Sequence, residues 1–177
     1  MINKILIFIF AAFFSLTSLA KEKNMENTVY LELKDGVVVI ELLPEIAPNH
    51  VARIKELVKK KFYDGIVFHR VIDGFMAQTG DPTGTGAGGS GKKLNAEFSA
   101  EPHVRGAVSM ARANHPDSAD SQFFIVFGDS RFLDGQYTVF GRVTEGMEFV
   151  DKIKKGNSAQ NGVVDNPDKI IKMHLAK

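Results

Sequence analysis

The segment TVYLELKDGVVVIEL, residues 28–42, carries the clearest structural pattern in the chain. Apolar residues alternate with other residues on both sides of Asp35-Gly36, a dipeptide that favours a tight turn. Alternation with a period of two is typical of a strand with one buried face. The segment therefore predicts an antiparallel hairpin. Its apolar positions are Val29, Leu31, Leu33, Val38, Ile40 and Leu42.

Downstream of the hairpin, the hydrophobic pattern predicts two helices. Apolar residues recur at helical spacing from Val51 to Val58, and Asn49 is the predicted N-cap. A second helical pattern begins at Met147 and is ended by Gly156. The two helices are far apart in the chain, so they do not alternate regularly with strands.

The remaining apolar segments are short and are separated by clusters of Gly, Asp, Asn and Pro, which is typical of strands joined by turns. They lie at residues 66–68, 74–78, 106–110, 123–127, 138–143 and 171–175. Together with the hairpin they give about eight strands. This pattern predicts one mostly β domain, built as an antiparallel barrel or sandwich rather than as a parallel α/β sheet. The sequence shows no internal repeat and no second domain.

The first twenty residues have the pattern of a signal peptide. Lys4 precedes an apolar run from Ile5 to Phe14, and the small-residue site Ser18-Leu19-Ala20 follows. The run is shorter than the roughly 20 residues that span a bilayer, so an uncleaved membrane anchor is the less favoured alternative. We predict a signal peptide at residues 1–20, a flexible start at 21–27 and a folded domain at 28–177.

Charge and cysteine content exclude several classes of partner and site. The chain has 22 Lys and Arg against 21 Asp and Glu, so no large electrostatic field would attract nucleic acid or an anionic membrane. It has no cysteine, which excludes disulfides, thiolate metal sites and a cysteine nucleophile. The five histidines show no metal-ligand spacing. We therefore expect neither a metal nor a nucleic-acid partner.

The glycine-rich segment GAGGSGKK, residues 86–93, resembles the start of a phosphate-binding loop. A P-loop ends in Ser or Thr, whose hydroxyl holds magnesium, but Lys93 occupies that position here. The flanking residues also lack the strand-to-helix context of a P-loop. We therefore do not expect a nucleotide to bind.

The most informative segment is FHRVIDGFMAQTGD, residues 68–81. Three further motifs follow it in order: SMAR at 109–112, SQFFI at 121–125 and FLDGQYTVFG at 132–141. These motifs resemble the cyclophilin family of peptidyl-prolyl cis-trans isomerases. The resemblance runs from about residue 28 to the C-terminus, and the signal peptide points to a bacterial exported, periplasmic type.

The resemblance implies a closed eight-stranded antiparallel β-barrel with an α-helix over each open end. It implies that Arg70 is the catalytic residue and that no cofactor or metal takes part. It also implies a monomer whose partners are proline-containing peptides and unfolded exported proteins. The substrate-binding residues that it implies are Phe75, Met76, Gln78, Gly84, Ala111, Arg112, Ala113, Gln122, Phe124, Phe132, Leu133 and Tyr137.

These residue types suit rotation about a prolyl amide. Rotation removes the amide resonance, so the nitrogen becomes basic and the carbonyl becomes less polar. A fixed donor such as Arg70 and an apolar pocket would both favour that state. Each residue taken alone has a simpler interpretation, since arginine is usually a surface residue and Phe75 or Met76 is usually core. The ordered set of motifs favours the catalytic interpretation.

Three positions depart from the best-known eukaryotic members. Arg112 replaces their Asn, Phe132 their Trp and Tyr137 their His. Phe132 lacks the indole N–H that helps hold cyclosporin in those members. Strong inhibition by that drug is therefore not expected. We expect a periplasmic isomerase that assists the folding of exported proteins. The rival hypothesis is a proline-peptide binding or chaperone module with little turnover.

Overall fold

The computed structural model describes residues 25–176. Within them eight strands form one antiparallel sheet, and two α-helices and three short 3-10 helices surround it. The strands are β1 Thr28–Leu33, β2 Gly36–Leu42, β3 Arg70–Ile72, β4 Met76–Thr79, β5 Ala107–Met110, β6 Phe123–Val126, β7 Val139–Glu145 and β8 Lys172–Leu175. The helices are α1 Pro48–Lys59 and α2 Met147–Asp151, and the 3-10 helices are Pro116–Ser118, Arg131–Leu133 and Ser158–Gln160.

The predicted signal peptide, residues 1–20, and residues 21–24 of the predicted flexible start lie outside the described residues. Between residues 25 and 176, no helix combines the length and apolar character needed to cross a bilayer.

The predicted hairpin is confirmed, with its turn displaced by one residue. Strands β1 and β2 are antiparallel, and Leu31 lies opposite Val38. Gly36 pairs with Leu33 at the start of β2, so the two-residue connection is Lys34-Asp35 rather than Asp35-Gly36. The alternating apolar side chains of both strands are buried in the main core.

The main core is centred on large side chains contributed by several elements. Tyr63 meets Phe123 edge to face at 5.5 Å, and Phe123 meets Phe140 in the same way at 6.0 Å. The apolar face of α1 packs on this core and contacts β7 and β8, whereas α2 contacts β2. The two helices predicted from hydrophobic spacing are therefore both present.

The N-terminus of α1 is stabilised from a distant loop. Asn49 is not the cap, because the helix begins at Pro48 and its N-cap is Ala47, two residues earlier than predicted, which makes no side-chain hydrogen bond. Instead, the carboxylate of Glu97 accepts hydrogen bonds from the backbone N–H groups of Asn49 and His50, both at 3.1 Å. A carboxylate suits this position, since the first N–H groups of a helix have no partner within it and carry partial positive charge.

The sheet is an open half-barrel, so the prediction of a closed barrel is wrong. Strand order runs β3-β4-β6-β5-β7-β2-β1-β8, and the edge strands β3 and β8 do not pair in a ladder. Positive φ angles at Asn161, Gly162 and Asn166 break the extended backbone that would be needed beside β3. Separate hydrogen bonds connect the segments that precede these two strands instead, including Phe68 N–H to Asp168 O at 2.8 Å.

The predicted strand at residues 66–68 is also absent. The regular strand lies slightly later, at Arg70–Ile72, and Val67 makes only an isolated bridge with Lys169. Phe68 is fully buried, so its apolar character reflects a place in the core rather than a strand.

Candidate active site

The candidate site lies on the outer face of β4, β5 and β6, where the sheet is buried on both sides. In β6, Phe123 and Ile125 point into the main core, whereas Phe124 and Val126 belong to a second apolar cluster. Successive side chains of a strand point to opposite faces, so the continuous apolar run in β6 supplies both clusters. The second cluster forms the floor of a cavity on the outer face of the half-barrel.

This cavity, the apolar pocket, has a volume of about 160 Å³. Met76, Phe124 and Leu133 are at most 8% exposed and form its most deeply buried walls. Its full lining is Arg70, Phe75, Met76, Gln78, Ala111, Arg112, Phe124, Leu133 and Tyr137. A concave apolar site with a few polar groups at its edge is the usual form of a small binding pocket.

Arg70 lies at the edge of the apolar pocket, where three hydrogen bonds fix its guanidinium. Arg70 and Gln78 are directly paired across β3 and β4, and Arg70 Nη1 donates to Gln78 Oε1 at 3.0 Å. Nε and Nη2 donate to the backbone oxygen and to Oδ1 of Asn161, both at 3.0 Å. Burial lowers the pKa of Arg70 from its ordinary value, but a guanidinium stays charged near neutral pH.

The neighbouring histidine adds no second charge at this point. His69 is only 8% exposed, and burial lowers the pKa of its ring. The ring therefore adds no charge near pH 7, and the cations that line the pocket are Arg70 and, on the opposite rim, Arg112.

A chain of side-chain amides extends from Arg70 to the glycine-rich loop. Gln78 Nε2 donates to Gln122 Oε1 at 2.9 Å. Gln122 Nε2 in turn donates to the backbone oxygens of Gly86 at 2.9 Å and Gly88 at 2.8 Å. Each amide is thereby held in one orientation, and the loop is tied to the arginine.

Two buried carboxylates shape the glycine-rich loop. Asp81 accepts hydrogen bonds from the backbone N–H groups of Thr83, Gly86 and Gly88. Burial raises the pKa of Asp81, but these hydrogen bonds outweigh it and hold the pKa at about 2. Asp120 performs the same task further along the loop, where it accepts from Ser90 N at 2.7 Å.

Beside the apolar pocket lies a second cavity of about 190 Å³, the polar pocket. The two cavities share Gln78, Ala111 and Arg112, so they form one continuous depression. The polar pocket is further lined by Gly86, Ala87, Gly88, Lys93, Ala113, Ser118, Asp120 and Gln122. The glycines therefore form a wall of this depression, where they allow backbone to approach a ligand closely.

Aromatic side chains form the opposite rim. The Tyr137 ring meets Phe124 edge to face at 5.9 Å, and the guanidinium carbon of Arg112 lies 4.6 Å from the centre of the Tyr137 ring. Phe132 is 65% exposed and its ring lies 5.5 Å from that of Phe75. An exposed aromatic side chain packed on a half-buried one at the mouth of a pocket provides apolar contact area for a ligand.

A buried Ser-His-Asp arrangement behind the pocket has a structural role. His103 Nδ1 lies 2.9 Å from Asp134 Oδ1, and Nε2 lies 2.9 Å from Ser109 Oγ. Ser109 is fully buried and its hydroxyl donates to Thr138 O at 3.0 Å, so no substrate can reach it. The His103 ring stacks on Phe124 at 6.3 Å and supports the wall of the pocket.

The structure brings most of the predicted site residues together. Nine of the thirteen line the apolar pocket, and Ala113 and Gln122 line the polar pocket. Phe132 reaches the rim through Phe75. Gly84 lines neither cavity and faces Val67 instead. The glycines that line the polar pocket are Gly86 and Gly88.

Sequence reasoning did not identify Asn161, Asp81 or Asp120 as parts of the site. Asn161-Gly162 is a recognisable turn dipeptide, but its sequence gives no sign that the turn lies against Arg70. Asp81 and Asp120 lie among turn residues, where a carboxylate is ordinarily expected to be solvated.

These features suit a reaction that changes a conformation rather than a covalent bond. The pocket walls are largely apolar, and the polar groups at its edge include the fixed guanidinium of Arg70, the Gln78 amide bonded to it and the guanidinium of Arg112. Such a site can hold an apolar ring and present a hydrogen-bond donor to an atom beside it.

Comparison with known proteins agrees with this geometry. Residues 28–175 match the family described as cyclophilin type peptidyl-prolyl cis-trans isomerase/CLD. A probable peptidyl-prolyl cis-trans isomerase of Brucella suis is 58% identical over 165 residues, covering 86% of this chain and 84% of the relative. Peptidyl-prolyl cis-trans isomerase B of Bacillus subtilis is 47% identical over 134 residues, covering 74% and 93%.

Solved structures give the same result. A Cryptosporidium parvum cyclophilin type peptidyl-prolyl cis-trans isomerase, crystallised in the presence of the dipeptide Ala-Pro, has a TM-score of 0.77 and 28% identity. The match covers 85% of this chain and 99% of that one. A cyclophilin from Hirschia baltica has a TM-score of 0.76 and 32% identity, covering 85% and 74%. The chain therefore belongs to the cyclophilin-type peptidyl-prolyl cis-trans isomerase family and is an enzyme of that activity.

Proposed function

We propose that Arg70 is the catalytic donor of this isomerase and that the apolar pocket holds the proline ring of its substrates. The observation that carries the proposal is the fixed position of the Arg70 guanidinium at the edge of that pocket. Gln78 holds it from one side and Asn161 from another. A prolyl amide lying over the edge of the pocket would then be within reach of Arg70.

The chemistry requires no covalent intermediate. Rotation about an Xaa-Pro bond is opposed by a barrier of roughly 18–20 kcal/mol, which arises from amide resonance. At the top of the barrier the nitrogen lone pair is localised, so a donor aimed at the nitrogen binds the twisted amide better than the planar one. The three hydrogen bonds of Arg70 use three of its five N–H groups, which leaves donors for the substrate.

Binding of the ring would rely on the buried walls of the apolar pocket, Met76, Phe124 and Leu133, together with the half-buried Phe75. The backbone at Ala111, which borders both pockets, and at Ala113, which lines the polar pocket, would bind the extended peptide on one side of the proline. Support comes from the related Cryptosporidium parvum structure obtained with the dipeptide Ala-Pro. The partners proposed for this chain are accordingly proline-containing peptides and unfolded proteins.

The size of one hydrogen bond limits what Arg70 contributes. A hydrogen bond to a charged group contributes on the order of 1.5–3 kcal/mol, which corresponds to roughly ten- to a hundredfold in rate. Any acceleration beyond this must come from the pocket, through preferential binding of the twisted peptide and exclusion of water.

The test is the cis-to-trans rate of a short Xaa-Pro peptide with the wild type, with Arg70→Ala and with Arg131→Ala as a matched control. Arg131 is an exposed arginine that lines neither pocket. We expect Arg70→Ala to keep much of the peptide affinity and to lose most of the turnover, while Arg131→Ala behaves as wild type. A wild type that binds the peptide without accelerating it would instead be a proline-peptide binding module.

Export to the periplasm is part of the same proposal and is supported by the sequence of residues 1–20. The enzyme would then assist the folding of exported proteins, as a monomer that needs no nucleotide. Mass spectrometry of the protein from its host should give a chain that begins at Lys21, and fractionation should place it in the periplasm. A cytoplasmic chain that retains residues 1–20 would contradict export.

A further inference from the structure

A third cavity, the α1 groove, lies between helix α1 and residues 92–95, and its volume is about 390 Å³. Lys93 lines both this groove and the polar pocket. Since the polar pocket is continuous with the apolar pocket, the three cavities follow one another across the surface. A peptide anchored in the apolar pocket can therefore continue towards the α1 groove.

One wall of the groove is a single face of helix α1. It is made of Asn49, Ala52, Arg53 and Glu56, whose spacings of three and four residues place them side by side on a helix. The opposite wall consists of residues 92–95, of which Leu94 is buried.

The groove has an excess of positive charge. Arg53, Lys92 and Lys93 line it, and Glu56 is its one lining carboxylate among the described residues. The Glu56 carboxylate is already occupied, since it accepts hydrogen bonds from Arg53 Nη1 at 2.7 Å and Lys60 Nζ at 2.6 Å. Lys93 forms an ion pair with Asp120, with Nζ 3.5 Å from Oδ2. In the part of the chain that the structure describes, Lys92 forms no ion pair and is exposed.

Both walls are held in place before any ligand binds. Arg53 is 8% exposed, and its Nη2 donates to Ser90 Oγ at 2.7 Å. Ser90 is bonded in turn to the carboxylate of Asp120 through its backbone N–H and its hydroxyl. Helix α1 and the loop are thus cross-linked by polar contacts, and a preformed site loses less conformational entropy on binding.

We propose that the α1 groove binds acidic side chains of the same polypeptide whose proline occupies the apolar pocket. The enzyme would accordingly prefer proline segments that carry Asp or Glu several residues away from the proline on one flank. The inference rests on the proposed function and adds a substrate class to it.

The test compares proline peptides that differ only in charge. One set carries an Asp-Glu pair at about two to six positions before the proline, and a second set carries the pair at the same distances after the proline. These spacings let an extended chain, which rises roughly 3.3 Å per residue, place the acidic pair at different distances from the apolar pocket. Each acidic peptide has a neutral counterpart in which Asn-Gln replaces Asp-Glu. We expect kcat/KM for the best acidic peptide to exceed that of its neutral counterpart by about three- to tenfold, on one flank only.

The variant Lys92→Glu reverses the charge at the groove, and Lys59→Glu is its matched control. Lys59 is an exposed lysine at the end of α1 that does not line the groove. Lys92→Glu should abolish or invert the ratio of acidic to neutral kcat/KM, whereas Lys59→Glu should retain it.

The outcomes separate this inference from the proposed function. If the neutral peptides are not accelerated at all, the proposed function itself fails. If the neutral peptides are accelerated but the ratio stays near one on both flanks, the α1 groove does not select acidic segments. A ratio that falls equally in Lys92→Glu and Lys59→Glu also overturns the inference, because the preference would then reflect overall charge.

Discussion

Asn161 holds Arg70 at two points, although the two residues are 91 positions apart in the chain. Its backbone oxygen accepts from Arg70 Nε and its Oδ1 accepts from Nη2, each at 3.0 Å. Asn161 adopts a left-handed conformation with φ of 54°, which asparagine tolerates better than most residues. The turn that keeps β3 and β8 from pairing therefore also fixes the orientation of the proposed donor.

Replacing Asn161 by glycine should lower turnover without weakening substrate binding. Glycine retains the backbone acceptor and adopts positive φ readily, so the change removes the Oδ1 contact with little cost to the turn. We expect kcat to fall about three- to tenfold with KM nearly constant, because the guanidinium loses one of its three anchors. Steady-state isomerisation kinetics measure both constants.

The matched control for this change is Asn166→Gly, which alters another asparagine with positive φ, 49°, in the same loop. It should leave both constants near wild type. Equal kinetics for Asn161→Gly and the wild type would show that the side-chain contact does not position Arg70.

Gln122→Glu should weaken substrate binding more than turnover. The amide of Gln122 donates to Gly86 O and Gly88 O, and a carboxylate cannot donate to either. Its acceptor oxygen toward Gln78 is retained, so the contact that leads to Arg70 survives. The loop that lines the polar pocket should loosen, and we expect KM to rise about five- to tenfold with a smaller change in kcat. A fall confined to kcat would contradict this division of roles.

Gly80→Ala should destabilise the fold through a backbone clash. Gly80 has φ of 87°, and an added Cβ would lie 2.9 Å from the Cα of Gln122 and would also meet the backbone oxygen of Ser121. We expect the free energy of unfolding to fall by about 3 kcal/mol, from left-handed strain together with overpacking. Urea denaturation measures this change.

Gly65→Ala separates the two causes, since Gly65 has a similar φ of 82° but nothing within 4 Å of the added carbon. It should cost only about 1 kcal/mol. Equal losses for the two variants would mean that the close approach at Gly80 is unimportant.

Asp81 should make stability depend on pH in the acid range. Its pKa in the folded protein is about 2, below its ordinary value of 3.8. Its stabilising contribution is therefore fully present above pH 3.8 and is lost as the pH falls through about 2. Asp81→Asn should lower the free energy of unfolding by about 2 kcal/mol at pH 5, and the gap should shrink towards pH 2. A gap that is constant from pH 5 to pH 2 in urea denaturation would rule out this role.

Much of the fold was predictable from local pattern. The alternation in β1 and β2 and the helical spacing in α1 are each set by neighbouring residues, so they appear directly in the sequence. The strand at residues 66–68 was predicted wrongly because burial of Phe68 in the core gives the same apolar signal as a strand. The cap of α1 was predicted wrongly because Glu97, its actual partner, is remote in sequence.

The sequence by itself determined the strand and helix pattern, the family and the identity of most residues around the pocket, since these depend on residue type and order. Only the tertiary structure decided that the sheet stays open between β3 and β8, that Asn161 lies on Arg70 and that Asp81 organises the glycine-rich loop. Each of these depends on a contact between distant segments. Such contacts form when burial brings the segments together, and no local preference for a turn or a charge specifies its partner.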